Sequence, residues 1–305
     1  MKTYTIPHTD LSVSRLAYGI GMLGVSWRTA DLLSKSVAAI NTAYENGISF
    51  FDTADIYSAG LSETALGMVL KESPGLRNRV VIQSKCGLRL RGGWVPGDPI
   101  EMHSIGIDLS RGHIVSATEG SLERLGTDCL DLLLLHAPSA LAHPEEIAQA
   151  FDDLKRDGKV RHFGVSNFTP SQFALLNRRV DLVTNQIEAS PLHIAPFYDG
   201  TLDQAQDLGV APMVWSALAG GRLFTGSDPD SLRVRGVLQR IAGERGISVT
   251  TLVYAWLLRH PARLIPLTGS RRLDAMREAV AALDVEIDAQ TWYEIWVAGN
   301  GAPAP

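Results

Sequence analysis

The sequence is poor in cysteine, has no surplus of positive charge and contains no long uninterrupted apolar run, and each shortage removes a class of protein. Cys86 and Cys129 are the only cysteines in 305 residues, each beside an apolar strand-like run. That pattern offers no disulfide framework, no C-x-x-C and no Cys/His metal site, and it suits two reduced core thiols in a reducing cytosol. Lys and Arg total 28 against 33 Asp and Glu, a formal charge of −5. The basic surplus that draws proteins to phosphate backbones or anionic membranes is missing, so neither nucleic acid nor a membrane is an expected partner. No stretch reaches the ~18 uninterrupted apolar residues of a membrane span, and the opening "MKTYTIPHTDLSVSRLAYG" lacks the apolar core and cleavage site of a secretory signal. The expectation is a cytoplasmic protein, monomeric or weakly homo-oligomeric.

What the sequence does have is alternation. Eight short apolar runs, "RLAYGIG", "ISFFDTAD", "RVVIQSKCG", "LDLLLLHAP", "VRHFGVSN", "DLVTNQIEAS", "APMVWSALA" and "RLIPLTGS", are mostly followed by segments of helical spacing, several ending in glycine as a C-terminal cap would. Strands this apolar are usually covered on both faces, as parallel strands are, and eight such units in this length predict an α/β fold of the (β/α)8 TIM-barrel type. No Pro/Gly/Ser-rich linker divides the chain, so one barrel domain is expected over 1–305, with a short N-terminal extension (1–15) and a C-terminal tail (284–305). A doubly wound sheet is the alternative, but "YGIGMLGVSW" lacks the G-x-G-x-x-G spacing such a sheet wants after its first strand.

In a barrel, reactive groups sit where strands exit at the C-terminal face. The ends of the eight runs supply Asp52 and Tyr57, Lys85, His136, Ser166 and Asn167, Gln186, Trp215 and Ser270. Each has a plain reading on its own: Asp52 could cap a turn, Tyr57 could pack, Lys85 could snorkel to solvent and His136 could be a core histidine bonded to a carbonyl. Their coincidence at one barrel mouth is what points to chemistry. No second histidine or cysteine stands at ligand spacing, so no metal is expected.

At these residues the chain resembles the aldo-keto reductases. "FDTADIYS" with "SETALG", "SKCG", "LLLLHAP" and "GKVRHFGVSNF" are similar to that family's second-, third-, fourth- and fifth-strand motifs, and the resemblance extends over essentially the whole chain, nearest to a bacterial oxidoreductase branch. It implies reduction of an aldehyde or ketone with Asp52, Tyr57, Lys85 and His136 as active-site residues, and Ser166, Asn167 and Gln186 as contacts of a nicotinamide carboxamide. The chemistry is consistent: carbonyl oxygen gains negative charge as carbon receives hydride, and it needs a proton donor within ~3 Å. Tyr57 is the expected donor. A cation ~4 Å away at an effective dielectric of ~20 contributes about 4 kcal/mol, roughly three pK units, toward lowering a phenol's pKa. Lys85 would supply that charge, with Asp52 as its partner. His136 would orient the carbonyl and, when protonated, assist proton transfer.

Hydride chemistry needs a carrier, and without a flavin or Rossmann fingerprint the expected cofactor is NADP(H), extended over the barrel top. Trp215 would stack on the nicotinamide where many members of that family have tyrosine; a buried core indole is the other reading. In "SALAGGRLFTG", Ser216, Leu218, Gly220 and Arg222 would wrap the pyrophosphate, unless this is simply a surface loop. In "TGSRRLDAMREA", Gly269 and Ser270 open the last helix toward a phosphate, Arg271 and Arg272 would read an adenosine 2′-phosphate, and Glu278 would take the adenine amino group. Gly269, Ala275 and Ala279 stand where the family often has other residues. "YSAGLSE" is longer than the commoner loop, and the long Gly/Pro-rich connection between Lys85 and His136 is expected to wall the substrate pocket. Trp27 and Trp94 either line that pocket or pack. A cofactor-binding regulatory subunit with slow turnover is the rival class, and a Schiff-base lyase or hydrolase using Lys85 is a third.

Overall fold

All eight apolar runs become parallel strands of one closed barrel in the computed structural model, which describes residues 1–21, 30–90, 105–270 and 272–302. An antiparallel pair, β1 (Thr3–Thr5) and β2 (Ser12–Ser14), precedes the barrel. The barrel takes β3 (Ala17–Gly19), β4 (Phe50–Asp52) and β5 (Val81–Cys86). A second antiparallel pair, β6 (Leu88–Leu90) and β7 (Ile105–Ile107), interrupts it. It resumes with β8 (Leu130–Leu135), β9 (Val160–Ser166), β10 (Leu182–Glu188), β11 (Met213–Trp215) and β12 (Ile265–Thr268), and closes where β12 pairs with β3.

The helices are α1 (Ala30–Glu45), α2 (Leu61–Glu72), α3 (Arg111–Leu125), α4 (Pro144–Arg156), α5 (Pro170–Asn177) and α6 (Thr201–Leu208). They continue with α7 (Arg222–Thr225), α8 (Pro229–Arg245), α9 (Val249–Leu258), α10 (Leu273–Ala281) and α11 (Ala289–Asn300). Their ends follow local chemistry. Thr169 and Gln172 form a capping box on α5, Asp228 accepts from the Ser231 N–H at the start of α8, and Gly126, Gly209 and Gly246 close α3, α6 and α8 in left-handed conformation. The segment expected as a tail carries α11, which packs on α8. Among the described residues no helix is long and apolar enough to cross a membrane.

The two-residue period of the strands sorts side chains between two environments. On β5, Ile82 and Cys86 face the helix layer, while Val81, Gln83 and Lys85 point into the barrel. The lower interior is apolar: Phe50, Leu132, Leu134, Met213 and Ile265 meet Ile6, Leu11 and Val13 from the N-terminal hairpin. Reciprocal bonds between Ser14 and Ser49 tie that hairpin to the start of β4. The upper interior is polar. On β10 the pairing moves from Leu182 opposite Phe163 to Asn185 opposite Val165, one extra residue on β10. That bulge lets Val183 pack inside and Gln186 point inward as well, which strict alternation would forbid.

Candidate active site

Phe50 and Asp52 share the inward face of β4, so a carboxylate follows an apolar plug and lies 3% exposed at the top of the barrel interior. Its Oδ1 accepts from Lys85 Nζ at 2.7 Å and from Gln186 Nε2 at 3.1 Å, and also from Gln83 Nε2. Lys85, 1% exposed, donates in addition to the Thr53 carbonyl at 3.0 Å and to the Tyr57 hydroxyl at 3.2 Å. Three ammonium hydrogens thus have three oxygen acceptors. On the far side of the phenol, His136 Nε2 lies 3.5 Å from the Tyr57 hydroxyl, with the rings edge to face at 5.3 Å. Its Nδ1 is buried and has no partner among the described residues.

Tyr57 reaches this position because the turn after β4 is bent hard. Ser58, Ala59 and Gly60 have φ of 52°, 51° and 88°, and Gly60 leads directly into α2. This is the conformation that the lengthened loop in "YSAGLSE" adopts. Gly21 supports the ring from the other side: a Cβ there would lie 2.8 Å from Tyr57 Cε2.

Burial is the largest influence on Lys85 and opposes its charge, but Asp52 and Tyr57 together outweigh it and lift the ammonium above its ordinary pKa. For Tyr57 the balance runs the other way from the sequence argument. Burial of the phenol raises its pKa by more than the Lys85 charge lowers it, and Asp52 adds to the rise. The spacing of residues reveals the cation but not the desolvation. His136 is held down to about 3 by burial and then by Lys85. The imidazole is therefore neutral at neutral pH, which favours the orienting part of its expected role over assistance by a protonated ring.

A cavity of about 760 Å³ opens above these groups, with Tyr57, His136 and Asp52 at its base. Ser166, Asn167 and Gln186 form one wall. Ser166 Oγ and the Asn167 N–H both donate to the Gln186 carbonyl, at 3.0 and 2.9 Å, and Asn167 Nδ2 donates to Ser166 Oγ at 3.0 Å. Trp215 stands over them, its indole N–H bonded to the Asn167 oxygen at 3.0 Å. Ser216, Leu218 and Gly220 continue the wall in a tight curl, with positive φ at Ser216, Ala219, Gly220 and Gly221. Gly269, Ser270 and Arg272 complete it at the start of α10, where Ser270 Oγ accepts from the Arg272 N–H at 3.1 Å.

Two expected residues are not on this wall. Arg222 turns to Asp228 at 3.2 Å, and the Glu278 carbonyl accepts from Thr251 Oγ1 on the helix side. Arg271, Trp27 and Trp94 lie outside the described residues. The long connection after Lys85 enters and leaves through the β6–β7 pair, from which Leu88 reaches the cavity. Sequence reasoning missed Gly21, Gln83 and Asp55. The first two carry no motif and are visible only through their contacts; Asp55 sits inside the quoted "FDTADIYS" but is not the residue that ends the apolar run. Among the described residues no group of three or more His, Cys, Asp or Glu is arranged to hold a metal ion.

Residues 15–297 match the model of the Aldo/keto reductase family. The chain is similar to the oxidoreductase YdhF of Escherichia coli, 43% identical over 92% of this chain and 93% of that one. It is similar to a 6-dehydroglucose reductase of Agrobacterium fabrum, 40% identical over 95% and 96%. Among solved structures, a glycerol dehydrogenase from Gluconobacter oxydans superposes with a TM-score of 0.86 at 25% identity, covering 99% of this chain and 97% of that one.

Proposed function

The chain belongs to the aldo/keto reductase family, and from that premise we propose that it reduces the carbonyl group of a small molecule to an alcohol with NADPH, Tyr57 delivering the proton. The observation that carries this reading is the Tyr57 hydroxyl at the base of the cavity, 3.2 Å from a buried ammonium and 3.5 Å from a neutral imidazole.

The cavity wall suits a nicotinamide dinucleotide. Ser166, Asn167 and Gln186 present hydroxyl and amide groups of the kind a carboxamide pairs with, beside an indole wide enough to stack on the ring. The curl at Ser216 to Gly221 exposes backbone of the sort that approaches a pyrophosphate closely. Bound there, the dinucleotide would supply the hydride for the substrate's carbonyl carbon.

The chain's own groups handle the oxygen. His136, neutral, donates from Nε2 and orients the carbonyl; this assigns the proton to that nitrogen, the one that faces the Tyr57 hydroxyl, since among the described residues Nδ1 has no partner to receive it. Tyr57 gives its proton as negative charge builds on the oxygen, and Lys85 stabilises the tyrosinate left behind. Asp52, Gln83 and Gln186 hold Lys85 and its counter-charge in place, so little reorganisation accompanies the transfer. A lysine with three acceptors and a raised pKa does not offer the free amine that a Schiff base requires, which argues against that chemistry. Arg272, exposed beside Ser270, is the described residue best suited to a 2′-phosphate.

The test is consumption of NADPH, followed by absorbance, against a panel of aldehydes, ketones and dehydro-sugars, with Tyr57→Phe in parallel. The reading expects turnover by wild type and its near loss in Tyr57→Phe at retained cofactor affinity. Cofactor binding with no turnover on any carbonyl would instead favour a regulatory subunit, and full activity of Tyr57→Phe would remove the donor role.

A further inference from the structure

Two residues before Tyr57, the turn leaving β4 carries a carboxylate for which the reduction scheme has no use. Asp55 donates its backbone N–H to the Lys85 carbonyl at 3.1 Å, which pins the turn bearing Tyr57 to the strand bearing the lysine. Its Oδ1 is buried and, among the described residues, has no hydrogen-bond partner. An unsatisfied buried carboxylate oxygen is costly and calls for a reason.

The surroundings of Asp55 make its charge harder to hold. From α2 comes Glu63, 0% exposed, which accepts from Ser84 Oγ and pairs with Arg124 of α3 at 2.7 Å. From β5 come Lys85, engaged with Asp52, and Cys86, whose thiol burial and the Asp55 and Glu63 charges push well above its ordinary range. Tyr57 shares the turn. Both nearby cations already hold another carboxylate, and the Ile56 N–H, Arg124 and Lys85 together offset only part of what burial and Glu63 impose on Asp55. The result is a carboxyl held up at about 7, a group that changes charge in the neutral range.

We propose that Asp55 is a positioning residue for proton transfer: its charge, set against the Lys85–Tyr57 pair, governs how readily Tyr57 releases its proton and so the pH at which reduction gives way to alcohol oxidation. This rests on the reading of Tyr57 as proton donor. The sign follows from charge alone. Ionised Asp55 disfavours tyrosinate and raises the phenol's pKa, whereas protonated Asp55 exerts no such effect. Removing the charge permanently therefore lowers the pH at which Tyr57 ionises.

The experiment compares wild type, Asp55→Asn and Asp55→Glu, each with and without Tyr57→Phe. Titration of tyrosine labelled at Cζ, followed by NMR, isolates the Tyr57 signal as the one lost in Tyr57→Phe, and needs no turnover. Asp55→Asn is expected to move that titration down by about half a pH unit or more, and the alkaline limb of kcat/KM for reduction with it, while Asp55→Glu stays near wild type. A merely structural role would change melting temperature and cofactor affinity but not this midpoint. Should Asp55→Asn fail to fold, Asp55→Ser serves as the neutral variant. An unmoved Tyr57 midpoint in a folded neutral variant overturns the proposal. Wild type inert toward every carbonyl overturns the reductase reading instead, and leaves the NMR titration to judge Asp55.

Discussion

The indole N–H of Trp215 donates to the side-chain oxygen of Asn167 at 3.0 Å, linking the exits of β11 and β9 across the barrel mouth. Asn167 is held there at φ 60°, a left-handed conformation that asparagine tolerates better than most residues. Trp215→Phe keeps an aromatic face and removes the donor. Loss of one neutral hydrogen bond is worth about 1 kcal/mol, so cofactor affinity is expected to fall roughly fivefold with the fold intact. Calorimetric titration of both proteins checks this; equal affinities would mean the bond does not organise the cofactor wall.

Gly21 and Tyr57 are too close to admit a side chain between them. A Cβ on Gly21 would sit 2.8 Å from Cε2 and 3.1 Å from Cζ of the phenol ring. Gly21→Ala is expected to displace the hydroxyl and lower kcat by roughly tenfold to a hundredfold, since small misplacements of a reacting group are costly. Cofactor affinity, read by fluorescence, should change little. A variant as fast as wild type would show that the ring has room to move.

Lys85→Met removes the charge that favours tyrosinate and leaves Asp52 buried without its cation. The alkaline limb of the reduction profile should move to higher pH, because burial and Asp52 then act on Tyr57 unopposed by that cation. Urea unfolding should report a loss of about 3 kcal/mol, the low end of the range for breaking a buried ion pair, since Gln83 and Gln186 still bond to Asp52. An unchanged profile at normal stability would contradict both halves.

His136 makes stability depend on pH. Its folded pKa of about 3 lies below the ordinary histidine value, so between the two the unfolded chain binds more protons and stability falls as pH falls. From pH 6.5 to pH 5 wild type should lose about 2 kcal/mol that His136→Asn does not lose. Parallel urea curves at the two pH values measure the difference, and identical losses would mean that the imidazole protonates freely in the fold.

Arg272→Ala addresses the choice of dinucleotide. If the guanidinium binds a 2′-phosphate, NADPH should bind more weakly by about 1.5 to 3 kcal/mol and NADH should be unaffected. Equal losses for both, or a wild type preferring NADH, would leave the phosphate to be assigned elsewhere.

The fold was readable in the sequence because parallel strands buried on both faces must be apolar nearly throughout, and "VVIQSKC" and "LDLLLL" became β5 and β8 within a residue or two. The grouping of Asp52, Tyr57, Lys85 and His136 was readable for a related reason: a polar residue ending such a run has only the barrel mouth to occupy. What was not readable depends on three-dimensional neighbours. The extra residue in β10 that turns Gln186 inward has no local signature, and Gly21 is one glycine among 28 until the Tyr57 ring lies on it. Asp55 belongs to the same group, since its pKa follows first from burial and then from Glu63 and Arg124 on two separate helices. The net direction of the Tyr57 shift escaped because charge pairs can be guessed from spacing and desolvation cannot.

The N-terminal hairpin gives the barrel a direction of traffic. Ile6, Leu11 and Val13, each at most 1% exposed, cork the end opposite Tyr57, packed against Phe50, Leu132 and Met213. Among the described residues that end is closed, so a molecule at the Tyr57 hydroxyl would leave by the mouth through which it came. That same mouth is walled by Trp215 and Ser270, so a long ligand lying along it would decide, by its own residence time, when the well beneath can empty.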